Sequence, residues 1–103
     1  MDVKVYRNED VRKITAFIPP GHRHVRILLE LSDQIIVLQE ATVAAIVRAY
    51  IDIITHPTRR AVELVSRQVP SSERKQGYAE FQLVESNKTE EEIIREVLER
   101  LSS

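Results

Sequence analysis

The most constraining stretch of this chain is Arg12-Lys13-Ile14-Thr15-Ala16-Phe17-Ile18, which alternates apolar and polar residues and stops at Pro19-Pro20-Gly21. Alternation is the signature of a half-buried strand, because successive side chains point to opposite faces. A strand cannot stand alone. Its unpaired N–H and C=O groups must find a partner, in the same chain or in another copy of it. Everything downstream is therefore read by asking what pairs with residues 12–18.

The next segment, 22–31, admits two answers. As a strand, Val25, Ile27, Leu29 and Leu31 share one face and Arg26 and Glu30 the other. As a helix, Arg23, Arg26, Glu30 and Asp33 form one polar stripe opposite Val25, Leu28, Leu29 and Ser32. Leu28 favours the helix, since a strand places it on the polar side. Gly21 is a weak early-helix residue, and Pro-Pro-Gly also suits a hairpin turn.

Residues 34–38 are a stiff β-branched connector, or the strand of the rival reading. Residues 40–55 predict a helix, with Val43, Val47, Tyr50 and Ile54 at helical spacing and apolar residues nearly all round. His56-Pro57 ends it. Thr58 reads as the N-cap of a further helix over 58–69, closed by Pro70. Residues 78–84 alternate as a strand, and Thr89 caps a last helix running to Leu101. Its Glu90-Glu91-Glu92 lies at the positive end of the helix dipole.

Length bounds the answer: 103 residues make one domain, and 43% hydrophobic content supplies a core that a chain this short completes more readily as a dimer. Absence of cysteine excludes disulfides, thiolate metal sites and cysteine nucleophiles. No apolar run reaches membrane-spanning length, and Met1-Asp2-Val3-Lys4 has no signal-peptide pattern, so a cytoplasmic protein is expected. The net charge of -1 hides a segregation. Residues 1–30 and 57–77 are basic on balance, whereas 78–103 is acidic.

Catalysis finds little support. Gly21 and Gly77 cannot build a phosphate loop or a nucleophile elbow. His22 and His24 lack the further ligands that zinc requires, and no cofactor is expected. Arg59 and Arg60 at the start of a helix oppose its dipole, which invites an external anion or acidic partner.

Lys13 through Pro20, followed by Glu40-Ala41-Thr42 and Ala45-Ile46-Val47-Arg48-Ala49-Tyr50, resembles the ribbon-helix-helix family of Arc- and MetJ-like repressors over residues 12–55. The resemblance implies a homodimer, or a higher oligomer, whose intermolecular two-stranded ribbon enters the DNA major groove. It implies that Lys13, Thr15 and Phe17 read base edges, with Arg12 beside them, while Ile14, Ala16 and Ile18 face the core. Gln39 or Thr42 would take the place of the family's phosphate-contacting hydroxyl at the helix start.

The expected fold class is α+β. Residues 1–56 form the DNA-binding and dimerisation region, and 57–103 a helix-strand-helix extension of the same domain. The expected function is a sequence-specific transcriptional regulator that is not an enzyme and does not span a membrane. The alternative is a non-enzymatic α+β interaction or oligomerisation module, with strands 12–18, 22–31, 35–38 and 78–84 in one antiparallel sheet and helices on one face.

Overall fold

A computed structural model describes residues 2–102. The order of elements is β1 (Val11–Phe17), β2 (Arg26–Leu31), β3 (Ile35–Gln39), α1 (Glu40–Thr55), β4 (Leu64–Gln68), β5 (Phe81–Glu85) and α2 (Glu90–Ser102), with a short 3-10 turn at Asn8–Asp10 ahead of β1. The class is α+β, with two antiparallel sheets and two helices. The chain divides into two units between Ala44 and Ala45.

The first unit is built on a meander, β1-β2-β3. Pro19-Pro20-Gly21-His22 closes its first hairpin: the His22 N–H donates to the Pro19 carbonyl at 3.0 Å, and Gly21 has φ +78°. Proline at the second position and a positive-φ glycine at the third are what a type II turn requires. The double proline is therefore a hairpin corner, and it returns the chain as β2 alongside β1.

The helix over 22–31 is thus corrected to a strand, and with it the strand-helix-helix order. β2 is the central strand, so on each face its side chains are flanked on both sides by those of β1 and β3 and are half-buried. Leu28 lies opposite Thr15 and Val37 rather than in solvent. Apolar residues on both faces of a central strand mimic the pattern of a buried helix.

Ser32, Asp33 and Gln34 join β2 to β3, with the Leu31 N–H donating to the Gln34 carbonyl at 2.9 Å. The N-terminal segment is clipped over it. Lys4 Nζ and the Tyr6 hydroxyl donate to the Asp33 carboxylate at 2.7 and 2.9 Å, and Gln34 Nε2 donates to the Tyr6 oxygen at 2.8 Å. These bonds, Lys4 first and Tyr6 second, hold the Asp33 carboxyl below the usual range.

In the second unit α1 ends where the residue before Pro57 leaves the helical region. The Thr55 hydroxyl donates to the Ile51 carbonyl at 2.7 Å, and His56 Nδ1 lies 2.8 Å from the Asp52 carbonyl. No helix follows. The helix over 58–69 is corrected: Leu64–Gln68 is β4, paired antiparallel with β5 from Leu64↔Glu85 to Gln68↔Phe81. The ladder runs one bond further, from the Val69 N–H to the Glu80 carbonyl at 2.7 Å.

The strand placed at 78–84 begins three residues later, because Tyr78 belongs to the turn closed by its N–H on the Lys75 carbonyl. It also pairs outside the first sheet, which corrects the single-sheet arrangement. Thr89 caps α2 as expected: its Oγ1 accepts the Glu92 N–H at 3.2 Å and donates to the Glu92 carboxylate at 3.1 Å. Among the described residues the buried hydrophobic side chains are Leu31 in the first unit and Ala45 and Ile93 in the second.

Candidate interaction surfaces

The register of the first sheet sorts its side chains into two faces, because residues directly opposite one another share a face. One face is apolar throughout: Val11, Ile14 and Ala16 on β1, Ile27, Leu29 and Leu31 on β2, Ile36 and Leu38 on β3. It is poorly covered. Leu31 is buried, yet Ile14 is 63% exposed and the rest are half-buried or open. Ile14, Ala16 and Ile18 were expected to face a core, and all three are exposed.

The other face is mixed, in rows Lys13–Glu30–Ile35, Thr15–Leu28–Val37 and Phe17–Arg26–Gln39. Four residues expected to touch DNA, Lys13, Thr15, Phe17 and Gln39, therefore share one surface. Arg12 occupies the register shift between Val11 and Lys13, where a bulge leaves it without a cross-strand partner residue. Thr42 sits in the first turn of α1. Arg26 joins this surface and was missed as a site residue. The alternation across 25–31, read as a strand, carries that signal. Lys13 is paired with Glu30 at 3.0 Å, so part of the positive potential of the surface is neutralised from within.

Beside this face Glu40 opens α1. Its carboxylate accepts the Val25 N–H at 3.1 Å and sits 2.8 Å from His24 Nδ1. Those two bonds, in that order, hold it below the usual carboxylate range. His24 is thereby tied to the helix start. Among the described residues no group of three or more His, Cys, Asp and Glu is placed to hold a metal ion.

In the second unit the charged side chains answer one another. Arg59 donates to Glu85 at 2.6 Å and lies 3.9 Å from Asp52, and its guanidinium is held above its ordinary pKa chiefly by the Glu85 hydrogen bond. Glu90 accepts the N–H groups of Arg60 at 2.8 Å and Ala61 at 3.4 Å, which lower its pKa. Lys88 bridges Glu96 at 2.6 Å and Glu63 at 3.5 Å; the Glu96 bond raises the lysine and lowers the glutamate. Of these, Arg59, Glu63, Glu85, Lys88 and Glu90 line a cleft of about 90 Å³. The acidic partner expected for Arg59 is internal, and with no helix at this point there is no dipole for the arginines to oppose. The arrangement neutralises charge and holds β5, α2 and the 59–63 segment together. It supplies no nucleophile aligned with a base.

The second unit also leaves large apolar side chains open. Arg48 Nη2 donates to the Leu83 carbonyl at 2.9 Å, and Ala45 on the same side of α1 is buried. The opposite side presents Ile46, Val47, Tyr50, Ile51 and Ile54, with Tyr50 63% exposed. On α2, Ile93 is buried while Ile94, Val97, Leu98 and Leu101 are open, Leu98 at 59%. No described helix is long and apolar enough to cross a membrane. Comparison with known protein families, with curated proteins and with solved structures finds no match to this chain.

Proposed function

We propose that this chain is a non-catalytic, homo-oligomerising interaction module that acts in the cytoplasm. One observation carries the reading: large apolar side chains lie open on both faces of the first sheet, Ile14 on one and Ile35 and Val37 on the other, and along both helices, while the buried hydrophobic core of the described residues is Leu31, Ala45 and Ile93. Exposed apolar surface on this scale marks an association site. At roughly 100 Å² for each exposed side chain, the open stripes of α1 and α2 together approach the ~800 Å² per partner of stable interfaces. Size-exclusion chromatography with light scattering tests it. The expected mass is that of a dimer or larger across micromolar concentrations, and a monomer throughout overturns the reading.

Sequence-specific DNA binding by a homodimeric transcriptional regulator is a second reading, supported by the shared face of Lys13, Thr15, Phe17, Arg26 and Gln39. β1 is an outer strand of the sheet, so its edge is open to antiparallel pairing with β1 of a second copy, the ribbon that the ribbon-helix-helix resemblance asks for. That ribbon would be the seam of a continuous sheet, because a strand and not a helix follows β1. Fluorescence anisotropy with genomic DNA fragments at low salt is the test, with Lys13→Ala/Thr15→Ala and Arg26→Ala alongside. Binding that these variants weaken supports the mixed face as a DNA reader. Absent or unchanged binding removes it.

A further inference from the structure

We infer that α2 is a self-complementary contact, pairing antiparallel with α2 of a second copy about a two-fold axis between Val97 and Leu98. This rests on the oligomerisation reading and names one of its surfaces. The open side chains Ile94, Val97, Leu98 and Leu101 form a pattern that reads the same in reverse. Around that axis Ile94 meets the second copy's Leu101, and Val97 meets its Leu98, so every open apolar group finds another of like size. Isologous interfaces demand this kind of self-matching.

Charge selects the antiparallel arrangement. Glu91, Arg95, Glu99 and Ser102 edge the shallow apolar shelf with Ile94 and Leu98. In an antiparallel two-fold pair this flank meets its own copy, which brings Arg95 to the second copy's Glu99 and Glu99 to its Arg95. A parallel pair would need the opposite flank instead. That flank is engaged within the unit, where Ile93 is buried and Glu96 holds Lys88 at 2.6 Å. The α2 stripe supplies about half of the ~800 Å² per partner of a stable interface, so the contact is concentration-dependent and reversible.

Sedimentation velocity on a dilution series of the full chain tests this, with circular dichroism checking that each variant keeps its helices. Leu98→Glu is expected to raise the dissociation midpoint at least tenfold. Arg95→Glu and Glu99→Arg each weaken association, and the double exchange restores it. A wild-type chain that oligomerises unaffected by Leu98→Glu overturns the α2 contact and leaves the oligomerisation reading standing. Single exchanges that weaken without rescue by the double variant overturn the antiparallel register. A wild-type monomer at every concentration removes both.

Discussion

The two units of this chain strike different balances between backbone pairing and side-chain links. The first is a meander whose strands are neighbours in sequence, joined by a Pro-Pro-Gly corner and the short 32–34 connection, so backbone ladders supply most of its order and side chains clip its ends at Asp33 and Glu40. The second brings together a helix, a hairpin with a long loop and another helix. It secures them with side-chain links: Arg48 on the Leu83 carbonyl, Arg59 on Glu85, Glu90 on two backbone N–H groups, Lys88 between two glutamates. Neither unit buries much. Short loops make pairing cheap in entropy, whereas the second unit must close longer connections and needs specific contacts to do so.

The strongest way to break the comparison is to empty each core. Leu31 and Ile93 are both 7% exposed, and truncating a buried aliphatic side chain to alanine costs about 2–5 kcal/mol. Leu31→Ala is expected to collapse amide protection in β1–β3 and to leave β4, β5 and α2 protected, and Ile93→Ala to do the reverse. Hydrogen exchange read by NMR separates the outcomes. Loss of protection in both units from either substitution would merge them into one cooperative body.

The sequence disclosed the local elements and hid the non-local ones. Residues 40–55 and the Thr89-capped helix were legible because 3.6-residue periodicity and caps are local signals. β1 was legible from the alternation over Lys13–Ala16 and the proline stop after it. β2 was not, since a central strand carries apolar residues on both faces, and Leu28 looked misplaced until Thr15 and Val37 stood beside it. β4 was lost for a related reason: Leu64–Gln68 is short, and its partner lies beyond the 69–80 loop. The shared face of Lys13, Thr15 and Phe17 followed from alternation alone, but Arg26 could join them only once β2 was a strand. In α2 the sequence marked the Thr89 cap and the helix to Leu101 but not which of its apolar residues would be open, Ile94, Val97, Leu98 and Leu101. That they stay uncovered while Ile93 is buried is a tertiary fact.

Smaller changes sharpen the contrast. Thr89→Ala removes the acceptor for the Glu92 N–H, and loss of such a cap costs about 1 kcal/mol. The effect is expected in the second unit alone, as a lower urea midpoint followed through α2.

Acid should act on both units, each of which has a carboxylate bonded to backbone N–H groups: Glu40 on Val25 and Glu90 on Arg60 and Ala61. Both carboxyls are lowered by these bonds. A carboxyl whose folded pKa lies below its unfolded value stabilises the fold above the unfolded value, about 4.3 for Glu. That contribution disappears as pH falls through the lowered folded value. Thermal melts are expected to be flat near neutrality and to drop below about pH 4. Glu90→Gln should flatten the acid limb for the second unit only, and Glu40→Gln for the first. A slope unchanged in both variants would assign the acid response to other carboxylates, with Asp33 and Glu96 next in line.

The smallest effect is expected at Lys13, and its smallness is informative. The side chain is 65% exposed and meets Glu30 across the β1–β2 ladder at 3.0 Å. Exposed pairs contribute about 0.2–1 kcal/mol, because solvent screens them and two long side chains lose freedom. Lys13→Ala should therefore leave the melting of the first unit almost unchanged, in keeping with a unit held by backbone ladders. A loss comparable to that of Thr89→Ala would show that this cross-strand pair adds to the first unit as much as a helix cap adds to the second. Little change in stability also makes the variant a clean probe of the mixed face: any loss of DNA binding by Lys13→Ala would then reflect lost contact rather than lost fold.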